Sequence, residues 1–219
     1  MSIPFYFAAE EQDVITEDGK QCAQLGFGFF EDGTLRLPER QISGAPAVVN
    51  DWFLPEAVPF NEILDRLAEA CGNGCFLDFE RPLNEVSAAI AVGLRQRLGD
   101  NMTVPPTLHA LCPEASVQIP SLLCNNWERF VQSVQAQYGT RWVLEIIPWE
   151  HCVPISSKES KNGFLQTAIC CWQTEDGILR YYDTEETIAK KLAIAEDYGC
   201  RAGIMLLQDF ENMKGRSSD

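Results

Sequence analysis

Histidine and basic residues are scarce in this sequence. Its only histidines are His109 and His151, and 17 Lys and Arg stand against 32 Asp and Glu, for a formal net charge of −15. With so few imidazoles, and with three residues instead of two between Cys71 and Cys75, the sequence predicts no zinc site. The glycines of "GFGFF" lack the spacing of a phosphate-binding loop, so we expect neither a metal nor a cofactor. A surface this acidic repels phosphate backbones, and no basic stripe offsets it, so we do not expect nucleic acid as a partner.

Long hydrophobic runs are absent as well. No apolar run approaches the roughly 20 residues that a membrane helix needs. The first residues, "MSIPFYFAAEEQ", lack the basic region of a secretion signal. The sequence contains nine cysteines, and several of them fall on predicted strands, where cysteine acts as a small hydrophobic residue. We therefore expect reduced thiols, a cytoplasmic location and no membrane partner.

What the sequence does contain is a regular alternation of strands and helices. Strands are predicted near the start of the chain and at 46–53, 74–81, 102–111, 116–123, 142–149 and 202–210. Helices are predicted at 61–72, 83–99, 126–139 and 184–199. A β-hairpin over 168–183 turns at Glu175-Asp176-Gly177 and directly precedes the last predicted helix.

This alternation predicts a parallel sheet in an α/β fold. About eight strands can be parallel, which favours a TIM (β/α)8-type barrel over an open doubly wound sheet. The early helices are short or missing, so the barrel would be a trimmed one. We expect a single barrel domain over 1–211 and a loosely ordered C-terminal tail over 212–219.

The stretch "NGCFLDFERP", residues 73–82, has the pattern of a strand that ends in two acids. Because side chains alternate along a strand, Asp78 and Glu80 point to the same side. Active sites of α/β barrels lie at the carboxyl ends of the strands, so both acids would stand where such a fold carries its chemistry. Two other interpretations remain open: a strand end that enters solvent, and a structural ion pair with Arg81 or Arg36.

The same stretch resembles the strand motif of family 18 glycoside hydrolases, the chitinase family, which is D-G-x-D-x-D-x-E. It aligns without gaps through Asn73, Gly74, Phe76, Asp78 and Glu80. In the family a long helix ending in L-R-x-x-L follows, and "LRQRLG" at 94–99 is similar. Residues 181–211 resemble the family's last unit, with a Tyr-Asp, a helix with paired lysines, and G-I-M in the final strand. The resemblance covers about 60–99 and 175–211, and it implies the barrel fold.

The resemblance also implies a ligand and a reaction. The ligand would be an amino-sugar oligosaccharide, and the reaction would be cleavage of β-linked N-acetylhexosamine units by a substrate-assisted retaining mechanism. Glu80 would be the general acid/base that protonates the leaving glycosidic oxygen, and burial would have to keep it protonated until then. Asp78 would orient the acetamido group, whose oxygen attacks the anomeric carbon.

The sequence departs from the family's pattern at several positions. Asn73 and Phe76 replace two acids, and in the family the acid at the position of Phe76 shares a proton with the one at Asp78. The family's Met-x-Tyr-Asp is missing from the middle strands, where "SVQIPSLLCNNW" stands instead. Residues 206–208 stand where the family often has Trp. These departures favour an alternative function, that of a catalytically inactive carbohydrate-binding relative with the same fold.

The rest of the predicted sugar site would come from other strand ends. Trp52 lies at the end of a predicted strand, beside Asn50 and Asp51, and Trp149 closes another strand, so either indole is a candidate to stack on a sugar ring. For both tryptophans, packing in the core is the alternative. The predicted substrate-binding set is Asn50, Trp52, Asn73, Trp149 and Gln208.

The segment "PWEHC" offers other candidates for chemistry. Glu150 and His151 would be an acid-base pair, but adjacent strand residues face opposite sides, so only one of them can enter a site. For His151 an ordinary loop position is the alternative. Cys152 is a further candidate as a thiol nucleophile, although sequence neighbours rarely form such a pair.

Overall fold

The structure of the protein, a computed structural model, describes residues 3–10, 12–13, 21–121, 126–148, 150–156 and 168–216. The chain divides into two compact units. Phe5–Ile119 is called the first unit, and Met1–Pro4 with Pro120–Asp219 the second unit. The domain boundary at 211 and the loose tail over 212–219 stay predictions, and residues 217–219 lie outside the described residues.

Six parallel strands, counted over the described residues, form the framework of the first unit. They are β1 (Phe5–Ala9), β2 (Gln21–Phe29), β4 (Ala47–Asn50), β5 (Cys75–Asp78), β6 (Met102–Val104) and β7 (Ser116–Pro120). Their hydrogen-bonded order follows the chain, β1-β2-β4-β5-β6-β7. The short β3 (Leu35–Arg36) pairs antiparallel with β2. The link from β2 to β4 contains no helix among its residues, all of which are described, as the pattern predicted.

Two helices cover one face of this sheet, α1 (Asn61–Ala70) after β4 and α2 (Glu85–Leu98) after β5. The start of α2 is set locally, because the Asn84 side chain accepts hydrogen bonds from the backbone of Val86 and Ser87 while Ser87 Oγ accepts from Asn84 N. Alternate strand residues pack with both helices in one core: Ala47, Val49, Cys75, Leu77, Phe79, Met102 and Val104. The opposite side of the sheet is called the inner face.

The inner face of the first unit is strongly curved. Tyr6 on β1 and Phe76 on β5 bring their ring centroids within 5.6 Å, although β2 and β4 separate the two strands. Three steps across a flat sheet would span about 14 Å. The strands therefore curl around their inner side chains, as the walls of an α/β barrel do.

In the part of the second unit that the structure describes, there are two further parallel strands and three helices. The strands β8 (Trp142–Glu145) and β12 (Cys200–Leu206) pair with each other. The helices are α3 (Trp127–Tyr138), α4 (Glu185–Asp197) and α5 (Leu207–Arg216). Pro4 and Ser121 flank the strand pair, because Gly203 N donates to Pro4 O and Ser121 N donates to Glu145 O.

A small antiparallel sheet completes the second unit, in the order β10-β11-β9. Its strands are β9 (Glu150–Pro154), β10 (Cys171–Glu175) and β11 (Ile178–Tyr182). The predicted hairpin is confirmed: Glu175 lies opposite Ile178, and Asp176 and Gly177 both have positive φ, 48° and 76°. This is the combination that a two-residue type I′ turn requires.

Five strand predictions extend too far. The strands predicted over 46–53 and 74–81 end at Asn50 and Asp78. The strand predicted over 102–111 ends at Val104, where Pro105 and Pro106 have no N–H for the ladder and a 3₁₀ turn follows. The strand predicted over 142–149 ends at Glu145, and Glu150–Pro154 form β9 of the antiparallel sheet. The strand predicted over 202–210 ends at Leu206, because residues 207–216 form α5.

No helix in the described part of the chain has both the length and the apolar character needed to cross a membrane. No disulfide joins any of the eight cysteines that the structure describes.

Candidate active site at the carboxyl ends of β4 and β5

Asn50 and Asp78 stand side by side at the carboxyl ends of neighbouring strands. The register of β4 with β5 pairs Val48 with Phe76 and Asn50 with Asp78. All four residues alternate with residues of the helix-facing core, so Asn50 and Asp78 lie on the inner face. The structure thus brings two of the predicted site residues together, at the edge of the sheet that the sequence predicted.

A glycine on the next strand makes room for Asn50. A Cβ at Gly28 would lie 3.1 Å from both the backbone O and Oδ1 of Asn50, and the φ of Gly28 is +151°. Any larger residue on β2 at this point would crowd the Asn50 side chain. Asn50 Oδ1 also accepts a hydrogen bond from Trp52 N at 3.3 Å, which turns the chain away from the strand end.

The segment that carries Glu80 is held by a buried carboxylate. Asp51 is 1% exposed, and its two oxygens accept hydrogen bonds from Glu80 N at 3.2 Å and Arg81 N at 2.9 Å. A buried carboxylate is costly unless donors satisfy it, and here the donors belong to the backbone of the candidate acid. Asp51 therefore fixes the chain path of Glu80 just beyond β5.

Glu80 itself is exposed, so the protein alone does not supply the burial that a protonated acid needs. Phe79 before it is buried in the helix-facing core, and β5 ends at Asp78, so Glu80 lies in the loop just beyond the strand. The ion pairs of the described residues include none between Glu80 and Arg36 or Arg81, so the structural-pair interpretation does not hold for Glu80.

Phe76, at the position of a motif acid, packs against an aromatic ring. Its partner is Tyr6, with ring planes 64° apart in an edge-to-face contact. Burial raises the pKa of the Tyr6 hydroxyl. The surroundings of Asp78 on this side are therefore apolar and aromatic, without a second carboxylate at position 76.

The other predicted substrate-binding residues lie in different places. Trp52 lies two residues after Asn50 and is 53% exposed, so its indole is accessible at the edge where Asn50 and Asp78 lie. Asn73 lies in the turn before β5 and is exposed, at the opposite end of the strand from Asp78, so the structure does not bring these two together. Gln208 is exposed in the first turn of α5, in the second unit. Trp149 lies outside the described residues.

The alternative candidates of the "PWEHC" segment belong to the second unit. His151 and Cys152 lie on β9, where they are opposite Tyr181 and Arg180 of β11. Neighbouring residues alternate sides on this strand, as the sequence argument required. Neither residue belongs to the first unit, which contains Asp78 and Glu80.

Two residues of the first unit were not singled out by the sequence argument. The sequence argument gives Asp51 no role, although a charged residue directly after the apolar run "AVV" and Asn50 is an available signal. Gln118 on β7 is 9% exposed, and its Oε1 has no hydrogen-bond partner among the described residues. Nothing in the sequence around Gln118 indicates an unpaired amide.

Comparison with known proteins gives a match at the level of the fold. No protein-family model matches the sequence, and no curated protein sequence matches it significantly. Among solved structures, the class V chitinase from Nicotiana tobaccum, as a mutant in complex with NAG4, has a TM-score of 0.56 at 10% identity, over 95% of this chain and 94% of that chain. A class V chitinase mutant from Cycas revoluta in complex with (GlcNAc)3 has a TM-score of 0.55 at 9% identity, over 97% and 98%.

A third similar structure is the spore cortex-lytic enzyme SleL from Bacillus megaterium, with a TM-score of 0.50 at 12% identity, over 97% of this chain and 73% of that one. At these identities the likeness concerns the fold alone. The prediction of an α/β fold of the TIM-barrel type is confirmed, and the chain has a chitinase-like fold.

Proposed function

We propose that the chain binds β-linked N-acetylhexosamine oligosaccharides at the carboxyl ends of β4 and β5 and cleaves them. The observation that carries the proposal is the fixed position of Glu80, whose backbone N–H is bonded to buried Asp51 beside the inner-face residue Asp78. Catalytic groups act only when they are held in place. The chitinase-like fold supports a glycan as the substrate class.

Glu80 is the general acid/base in this proposal. It gives its proton to the glycosidic oxygen while the acetamido oxygen of the substrate attacks the anomeric carbon, so that the C–O bond breaks without an enzyme nucleophile. Asp78 accepts the acetamido N–H and orients the group for attack. Water then adds to the anomeric carbon, and the Glu80 carboxylate takes the proton.

A bound sugar would supply the burial that Glu80 lacks in the free protein. Exposed aromatic residues lie near the same sheet edge: Trp52 is 53% exposed, Phe53 39% and Phe30 51%. They occupy the chain directly after β4 and β2, and exposed apolar patches of this kind mark binding surfaces.

The proposed location is the cytoplasm, as the predicted reduced thiols indicate. A short oligosaccharide is then a more suitable substrate than an extracellular polymer.

The test is hydrolysis of short N-acetylglucosamine glycosides by the wild type and by Glu80→Gln. The variant keeps the shape of the side chain but has no proton to give, so kcat should fall at least about 100-fold. Glu69→Gln, an exposed position on α1, is the matched control and should retain full turnover. Equal turnover by wild type and Glu80→Gln would rule out Glu80 as the acid.

A second function, carbohydrate binding without catalysis, is favoured by the contact of Phe76 with Tyr6. Phe76 stands at the position of a motif acid and packs edge-to-face on an aromatic ring, so no shared proton can adjust the charge of Asp78 from there. In this case the oligosaccharide raises the melting temperature of the wild type, but no turnover is measured. An absence of both binding and turnover would exclude this class of sugar.

A further inference from the structure

Gln118 is a buried polar residue whose acceptor atom has no partner among the described residues. The side chain is 9% exposed on β7, and its Oε1 accepts no hydrogen bond from any described residue. Most buried polar side-chain atoms in folded proteins are paired, and an unpaired one costs free energy of folding. An unpaired buried acceptor has a physical reason when it accepts a hydrogen bond from a bound ligand.

The strand register places Gln118 on the inner face. Phe76 pairs with Thr103 across β5 and β6, and Thr103 pairs with Ser116 across β6 and β7. Partners in a parallel register share a face, and so do residues two apart on a strand. Gln118 therefore lies on the same face as Phe76, Thr103 and Ser116.

The same register also gives the height of Gln118 along the strands. Asp78 lies two residues after Phe76 on β5, and Gln118 lies two residues after Ser116 on β7. Asp78 pairs with Asn50 on the other side. Asn50, Asp78 and Gln118 thus occupy one level of the inner face, on three strands of the first unit; we call these three residues the inner polar level.

We infer that the Gln118 side chain is a ligand-binding group, and that its Oε1 accepts a hydrogen bond from an N–H or O–H of the sugar ring that contacts Asp78. The inference rests on the proposed function for the identity of the ligand. Asn50 and Asp78 add oxygen acceptors at the same level, and the carboxylate gives this level a negative charge. The inner polar level therefore suits a neutral ring rich in hydrogen-bond donors, as N-acetylhexosamine is, and disfavours an anionic sugar.

Gln118→Met separates a ligand-binding role from a structural one. The substitution keeps an unbranched side chain of similar length but removes the amide. If Oε1 is unpaired in the free protein, removing the amide also removes the free-energy cost of burying that acceptor. The melting temperature of the ligand-free variant should then rise by about 2–4 °C. If Gln118 instead holds the fold together, the melting temperature should fall.

Binding is measured in a Glu80→Gln background, so that hydrolysis does not interfere. Isothermal titration with the tetramer of N-acetylglucosamine is compared for Glu80→Gln alone, Glu80→Gln with Gln118→Met, and Glu80→Gln with Gln96→Met. Gln96 is an exposed glutamine on α2 and provides the matched control. We expect Kd to increase about tenfold with Gln118→Met, the loss of one hydrogen bond to the ligand, and to stay unchanged with Gln96→Met.

Each other outcome overturns the inference in a recognisable way. An unchanged Kd in the Gln118→Met variant would leave the proposed function standing and remove Gln118 from the site. A lower melting temperature of that variant would mark Gln118 as structural. If Glu80→Gln and the wild type both fail to bind the tetramer, the proposed function fails, and the assignment of a sugar to Gln118 fails with it.

Discussion

Two buried aspartates, one in each unit, are stabilised in different ways. Asp183 is 4% exposed and forms an ion pair with buried Lys191, whose Nζ lies 2.7 and 2.9 Å from its two carboxylate oxygens. Asp51 is 1% exposed, and its two carboxylate oxygens accept hydrogen bonds from the backbone N–H groups of Glu80 and Arg81. The ion pair of Asp183 joins two side chains at and within one helix, whereas the hydrogen bonds of Asp51 fix the backbone of a loop.

The surroundings of Asp183 identify it as a structural residue. It directly precedes the N-cap Thr184 of α4 and also accepts a hydrogen bond from Thr187 Oγ1 at 3.0 Å. Lys191 lies in the same helix, and its backbone carbonyl accepts from the Trp127 indole of α3 at 2.9 Å. The ion pair and the indole together anchor α4 to α3. The two adjacent lysines of this helix have different roles: Lys191 is buried and pairs with Asp183, while Lys190 is exposed and pairs with Glu186.

The difference between the two aspartates indicates what each can be used for. A carboxylate neutralised by a lysine is satisfied within its own unit and contributes to packing. A carboxylate whose oxygens accept hydrogen bonds from the backbone of a neighbouring loop determines where the side chains of that loop lie. Asp51 is thus a positioning residue for Glu80, and the following predictions test the contrast.

Lys191→Met should have the largest effect on stability. It leaves the Asp183 carboxylate buried without its cation, and breaking a buried pair in this way costs about 3–5 kcal/mol. Urea unfolding measures the loss. Combining Lys191→Met with Asp183→Leu should recover most of it, and Lys190→Met, at the exposed neighbour, should leave the midpoint almost unchanged. A double variant as unstable as the single one would contradict a buried ion pair at this position.

Asp51→Asn should have a smaller effect on stability but a clear effect on the site. The amide oxygen can accept one backbone N–H, but the NH₂ group would face the other, so the free energy of unfolding should fall by about 2 kcal/mol. If Asp51 positions Glu80, kcat on N-acetylglucosamine glycosides should fall at least about tenfold as well.

The control for Asp51→Asn is Asp65→Asn, which removes the ion pair of Asp65 with Arg97 on the surface of α1 and α2. This pair should contribute less than about 1 kcal/mol and nothing to turnover. Unchanged turnover in a folded Asp51→Asn variant would show that its carboxylate does not position Glu80.

The smallest effect concerns Cys200, a buried group that stays neutral. Burial raises the pKa of its thiol from 9.0 to about 11. The folded state therefore keeps a proton that the unfolded chain releases earlier, so the contribution to stability is complete below pH 9 and is lost as the pH rises through about 11. Urea midpoints measured across this range should fall less steeply in Cys200→Ala than in the wild type. Cys152→Ala, at an exposed cysteine, should follow the wild-type curve; identical curves for all three proteins would exclude a role for Cys200.

The sequence by itself determined the local elements and the side of β5 on which Phe76 and Asp78 lie. The α2 cap at Asn84, the Asp176-Gly177 turn and the period-2 pattern through Phe76 and Asp78 depend on residues within a few positions of each other. Their physical causes, side-chain caps, positive φ and alternation, act over the same short range. The number of parallel strands follows from the alternation of strands with helices, which makes the fold class predictable.

Only the tertiary structure decided how the polar residues are used. Asp51 bonds backbone groups 29 and 30 residues away, and Gln118 reaches the level of Asp78 through two successive strand registers. Asn73 matches the motif by position, yet the length of β5 separates it from the acids. Local pattern predicts which side of a strand a residue faces, but burial and pairing depend on which distant strand lies beside it. That is set by the packing of the whole sheet, since the free energy of a buried polar group depends on the donors and acceptors that the packing brings to it.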